Sequence, residues 1–211
     1  MRKLLFLFIS FSFSVAVYAA DIELNTRNFP AEVVQEAKRK ATKVLDELSL
    51  KNTPVRDNVF IVVANRYLEL REIHQAYGER NKAIEALKLD KKEVDERLEV
   101  SYYQCNSDLY RSRFGYITWL SFYLDNAQIE KVKDAMTLHL LPAQYSAFMK
   151  GLPELTEDQK KRVRSWFEEA REFSMDFETG RQMRQMFTKY RGRLNNYLSK
   201  CGYDISRVSK K

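Results

Sequence analysis

Histidine and cysteine are scarce, with two of each in 211 residues. His74 and His139 stand far apart, and no H-E-x-x-H spacing sets two ligands on one helix face. No metal site and no cofactor is therefore expected. Glycine (6) and proline (4) are also few. No glycine-rich loop can cradle a phosphate, and no G-x-S-x-G elbow presents a nucleophile. No pairing of serine or cysteine with histidine is indicated, so no catalytic residue is assigned. Alternating runs bounded by turns are missing, which argues against strands.

Long apolar runs are missing too, with one exception at the start. Met1-Arg2-Lys3 is basic, Leu4 to Val17 is apolar with interspersed serines, and Val17-Tyr18-Ala19 sets small residues at −3 and −1. That pattern is a signal peptide over residues 1–19, cleaved after Ala19, with Ala20 as the alternative. The run is short of the roughly 20 residues of a membrane span. The expected location is periplasmic or secreted, with no membrane span. Removing Arg2 and Lys3 leaves a modest basic excess spread along the chain. Export argues against nucleic acid as partner, whereas a carbohydrate or a protein partner is compatible with this charge. Cys105 falls on an apolar helical stripe, which suits a buried free thiol; a Cys105–Cys201 bridge is the alternative.

The remaining chain reads as helix almost throughout. A first helix spans about Pro30 to Leu48, with Val33, Val34, Ala37, Ala41, Val44, Leu45 and Leu48 on one face. Thr53-Pro54 is a cap followed by a first-turn proline. The long helix it starts runs to about Leu87, its apolar stripe interrupted by Arg66 and Arg80. Asp90 to Glu93 resembles a capping box and starts a third helix ending near Leu124. Val94, Leu98, Tyr102, Cys105, Leu109, Tyr116, Leu120 and Tyr123 are expected on its inner face. Two similar starts follow, Leu124-Asp125 with Gln128 and Leu155-Thr156 with Gln159, each a leucine, a cap and a glutamine reaching back. A short helix is expected over Ala143 to Met149. Another from Thr156 to Met175 points Val163, Trp166, Phe167, Ala170 and Phe173 inward. A last helix opens at Thr179-Gly180 and stops at Cys201-Gly202. The expectation is one all-α domain over residues 20–205, of six or seven helices, with a long antiparallel helical hairpin packed on a C-terminal helical bundle. Residues 206–211 are expected to be a basic, frayed tail.

Several stretches carry a family resemblance: Lys131 to Thr137, Leu152-Pro153, Leu155-Thr156 with Gln159, Ala170 to Glu172 with Met175-Asp176, and Lys189 to Leu198 with Gly202 to Asp204. The Asn195-Asn196-Tyr197-Leu198 motif, preceded by Lys189-Tyr190-x-Gly192-Arg193, is the most specific. Together they resemble DUF3826, an exported bacterial family. The resemblance implies an exported helical protein with a sugar-binding label and no catalytic residues to carry over. The two leucine-cap-glutamine starts also resemble those of the LTxxQ periplasmic stress chaperones.

Two clusters are candidates for chemistry. Glu168, Glu169, Glu172 and Asp176 lie along one helix, where a pair could serve as acid and base on a glycosidic bond. Arg164 and Arg171 are within reach of them, which favours ion pairing instead. On the last helix, Arg193, Asn196 and Lys200 share a face beside Tyr190 and Tyr197. Aromatic rings offer flat apolar plates to sugar C–H faces, while amides and guanidinium groups bond hydroxyls. The expected ligand site is Tyr190, Arg193, Asn195, Asn196 and Tyr197, with Tyr145 and Trp119. The expected function is non-catalytic binding of a carbohydrate or similar polar ligand. The alternatives are an LTxxQ-like chaperone or envelope-stress protein and a sugar-active enzyme.

Overall fold

Caps chosen by the sequence set the helix boundaries. The structure, a computed structural model, describes residues 22–50 and 53–209; the signal-peptide reading lies outside them. Eight helices and no strand occur among the described residues: α1 (Ala31–Asp46), α2 (Pro54–Glu85), α3 (Lys91–Tyr123), α4 (Asn126–Met136), α5 (Leu140–Gly151), α6 (Glu157–Ser174), α7 (Gly180–Lys200) and α8 (Ser206–Ser209). Asp125 and Thr156 form capping boxes with Gln128 and Gln159, and Thr179 forms a third with Gln182. Each satisfies backbone N–H groups that the first turn leaves free. Leu124 and Leu155, just before two of these caps, are buried, and Leu124 shares a core with Ile129 in the first turn of α4. The α5 helix starts earlier than expected and contains Pro142, because a first-turn proline lacks only an N–H that has no helical partner anyway.

Two cores result. One joins α1, the first half of α2, the second half of α3, and α4, through Val44, Leu45, Val59, Val63, Tyr116, Leu120 and Val132. The other joins α5 to α8 through Phe148, Val163, Phe167, Phe187, Leu194 and Leu198. The expected hairpin on a C-terminal bundle is therefore present. The first half of α2 is covered on two sides, by α1 and α3, which explains why Val62, Ala64 and Leu68 are buried beside the one stripe read from spacing. Beyond this core the hairpin projects, and no residue from Arg71 to Val100 is buried.

Tyr102, Phe173 and Trp166 depart from expectation. Tyr102 and Phe173 are exposed, because α3 and α6 each bury a narrower face than their apolar content suggests. Trp166 is half-buried, since its ring lies at the edge of the α6–α7 contact. Cys105 is buried and Cys201 is exposed, both as free thiols, so the alternative bridge is not formed. The tail is not frayed as far as Val208. Gly151 leaves room for it: a β-carbon there would meet the Val208 Cα at 3.0 Å. Val208 is buried against the second core, and the Arg207 guanidinium pairs with Glu154. The α7 helix ends in a Schellman turn, with Gly202 at φ +91° and the Tyr203 N–H donating to the Leu198 carbonyl over 3.1 Å.

Ions tie the two cores together. Buried Arg171 on α6 donates to Asp134 over 2.7 Å and to Glu130, both on α4. Lys133 on α4 donates back to Glu172 over 2.9 Å. Burial raises the Glu130 pKa, but the Arg171 hydrogen bond and charge outweigh it and hold the carboxyl below its ordinary range. A lowered carboxylate pKa contributes stability that is present above the unfolded value and lost as pH falls through the folded one. The stability gap between wild type and Glu130→Gln, measured by urea unfolding, should thus be open at neutral pH. It should close as the pH falls from about 5 to about 3. A thiol reagent should label Cys201 in the native protein and reach Cys105 only after unfolding.

Candidate functional site

Arg66 interrupts the apolar stripe of α2, and the structure turns that interruption into the floor of a cleft. The cleft has a volume of about 670 Å³ and lies between α2 and α3. Its lining includes Ile22, Asn25, Val62, Ile73, Tyr116 and Trp119, with Glu69, Glu72, Asp108 and Arg111 supplying charge. The N-terminal segment closes one side. It is tied down by Asn65, whose Oδ1 accepts from the Asn25 N–H over 2.8 Å and whose Nδ2 donates to the Glu23 carbonyl over 2.9 Å. Gly115, inside α3, also lines the cleft, and a β-carbon there would meet nothing within 4 Å. Glycine inside a helix costs roughly 1 kcal/mol relative to alanine. Here it leaves open space beside Trp119.

The Arg66 side chain is fully buried. Its Nη2 donates to Asp176 over 2.7 Å, its Nη1 donates to the Ser112 hydroxyl, and Glu69 lies 3.9 Å away. Its Nε has no partner. Arg113 reaches the other Asp176 oxygen over 3.0 Å, and His74 Nε2 lies 2.7 Å from the Asp176 carbonyl. Burial pulls the Arg66 pKa down and pushes the Asp176 pKa up, against the attraction between the two. With its ordinary value so far above neutrality, Arg66 stays charged. The floor is therefore a cation already paired with one protein carboxylate, Asp176. The groups left to meet a ligand are a half-exposed indole, three carboxylates and Arg111.

The expected site on α7 has a different geometry. Tyr190 is buried; burial, with a hydrogen bond to Glu169, pushes its phenol up to about 12. The Arg193 guanidinium covers the Trp166 ring at 4.2 Å and pairs with Glu169 at 3.5 Å. Arg162 covers Tyr197 at 4.8 Å, and Tyr197 meets Trp166 edge-on at 5.7 Å. Arg164 lies 5.9 Å from the Tyr145 ring. Asn196 is exposed, and the Asn195 Oδ1 is buried without a partner. Tyr190, Arg193 and Tyr197 thus come together with Trp166 in a cation–aromatic ladder along α6 and α7, with Tyr145 beside it on α5. Trp119 stands apart, in the α2–α3 cleft. None of the α7 residues lines that cleft or a second one, of about 600 Å³, between Arg80 and Arg97 at the hairpin tip.

The four carboxylates read as an acid–base candidate are all paired. Glu168 meets Arg164 at 2.8 Å, Glu169 meets Arg193, Glu172 meets Lys133, and Asp176 sits between Arg66 and Arg113. None lines either cleft, so they are not set as two catalysts about one bond.

A family model described as "Protein of unknown function (DUF3826)" matches residues 34–211. The chain belongs to this family. No curated protein matches it. The match takes in every described helix of this DUF3826 protein except the first residues of α1, so the cleft walls on α2 and α3 fall within it. Ile22 and Asn25, which close the cleft, lie before it. Sequence reasoning missed Glu69, Glu72, Asp108 and Gly115 as site residues. The legible signals were Arg66 in an apolar stripe and a glycine in the middle of a long helix. Replacing Arg66 by methionine would leave Asp176 buried with one fewer partner. It should destabilise the protein by about 3 kcal/mol in urea unfolding, and adding Asp176→Asn should recover part of that loss.

Proposed function

We propose that this protein binds, without transforming it, a neutral carbohydrate or similar polyhydroxylated ligand in the α2–α3 cleft. One observation carries the reading: the Trp119 ring, 44% exposed, stands on the wall of an open cleft among carboxylates and an amide. An indole face suits the apolar C–H face of a sugar ring, and carboxylates accept from hydroxyl groups. Charge favours a neutral ligand. Arg66 is spent on Asp176 and Ser112, which leaves Glu69, Glu72 and Asp108 against Arg111 at the cleft. An acidic sugar would meet net repulsion there.

The basic, apolar and small-residue pattern over residues 1–19 supports action outside the cytoplasm, in the periplasm or after secretion. No helix among the described residues is long and apolar enough to cross a membrane. The resemblance of two helix starts to LTxxQ chaperones is accounted for by their capping boxes, a device shared by many helices.

Calorimetry of the chain from residue 20 against neutral and acidic oligosaccharides tests the proposal. A neutral oligosaccharide should bind, and Trp119→Ala should weaken it at least about tenfold, ~1.4 kcal/mol. Gly115→Leu, which fills the open space while improving helix propensity, should abolish binding without loss of stability. Asn196→Ala, at an exposed position of α7 away from the cleft, should change affinity by no more than about twofold. A folded protein that binds none of the panel would sink the proposal, as would one in which Asn196→Ala is the damaging change.

A further inference from the structure

Two arginines interrupt the apolar stripe of α2, and their surroundings differ. Arg66 is held by Asp176 and Ser112. Arg80 lies about four turns farther along. It is half-buried, and its Nε and Nη2 are buried without a hydrogen-bond partner. No ion pair or aromatic ring reaches it among the described residues. Buried polar groups nearly always have partners, and a charge withdrawn from water without a counter-charge is costly. The packing of the hairpin does not account for this exception.

Arg80 borders the second cleft, of about 600 Å³, near the hairpin tip. The other polar groups there are already engaged. Glu93 pairs with Arg97 at 2.8 Å, and Glu96 pairs with Lys92 at 3.8 Å. The Ser101 hydroxyl donates to Asn81 over 2.7 Å, and the Gln104 amide donates to Asp108 over 2.9 Å. Ile84 and Val100 give the cleft apolar walls. The Arg80 charge is felt inside the hairpin as well: burial pushes the Cys105 thiol up, and this guanidinium opposes the shift.

We propose that this cleft binds a small monocarboxylate with an apolar body, aromatic or short and aliphatic, and that Arg80 is the group that holds the carboxylate. Nε and Nη2 form the side of the guanidinium fork that meets a carboxylate through two parallel hydrogen bonds. Those two atoms are shielded from water, so the carboxylate meets them after the side chain rotates toward the cleft. No pairing of Arg80 opposes that rotation. Ile84 and Val100 favour an apolar body. Glu93 and Glu96 favour a single negative charge, because a divalent phosphate or sulfate would meet their repulsion. The site is separate from the cleft beside Trp119, whose lining carries three carboxylates. It stands or falls independently of the carbohydrate reading.

Thermal unfolding and calorimetric titration of the chain from residue 20 test this, with benzoate and hexanoate as probes. Each, at about 20 mM, should raise the wild-type melting temperature by about 3 °C or more and titrate with a Kd below about 1 mM. Benzyl alcohol and inorganic phosphate at the same concentration should shift it by less than about 1 °C. Arg80→Met should not respond to benzoate. Unlike Arg66→Met, it should melt no lower than the wild type, since it leaves no buried partner behind. Val100→Glu, at an exposed position, should fold as the wild type does and bind benzoate at least about tenfold more weakly. Five results would overturn the proposal: no saturable binding of either acid; an equal response to benzyl alcohol, which would make the cleft simply apolar; an equal response to phosphate, which would mark an adventitious ion only; an unchanged response in folded Arg80→Met; or a lower melting temperature of that variant without ligand, which would give Arg80 a structural role.

Discussion

Asp176 sits just past the end of α6, held between Arg66 of α2 and Arg113 of α3. Around it, Arg171 bridges to Glu130 and Asp134, and Lys133 reaches Glu172. These ions lie where two separate hydrophobic cores meet. Apolar packing holds each core together, but it is non-directional and would tolerate several docking angles between them. The forked geometry of the arginines is directional and tolerates few. Met175, next to Asp176, is buried in the first core although it follows a helix of the second. One apolar plug beside one carboxylate thus joins the long hairpin to the C-terminal helices.

The cleft follows from the same constraint. An arginine in the middle of a buried helix face must be neutralised where it stands, because an unpaired buried charge is costly. Asp176 and Ser112 serve that purpose from one side. On the other side Gly115, Trp119 and the N-terminal segment border the space that remains between α2 and α3. The floor of the proposed ligand site is thereby an interior ion pair. It is rigid, and its charge is already balanced. The α7 ladder shows the opposite use of similar residues: there the guanidinium groups of Arg162 and Arg193 cover the aromatic faces themselves.

Helix boundaries were legible because capping is local chemistry. Thr53, Asp90, Asp125, Thr156 and Thr179 all accept from a backbone N–H three residues on. Inner faces were legible where a helix buries one side, as in α1 and α7. They were only partly legible in α2, which is covered on two sides, and in α3, whose apolar residues form two opposite stripes. Spacing alone assigned Tyr102 inward, whereas the α2 contact falls on Cys105 and Leu109. Of the expected site residues, only Trp119 borders the cleft. Its companions Glu69, Glu72 and Asp108 come from two helices, and nothing in either helix alone marks them as partners.

What the sequence by itself determined is the set of elements: which residues start and stop each helix, and that the described residues fold as helices without a strand. These depend on interactions within a few residues, so they are written locally. Tertiary structure decided which polar residues are structural and which border open space. Arg66 and Arg111 look alike in the sequence. One is buried and spent on Asp176, while the other lies at the edge of the cleft. The difference arises from Asp176, 110 positions along the chain from Arg66, where only the packing of α6 against the hairpin could place it.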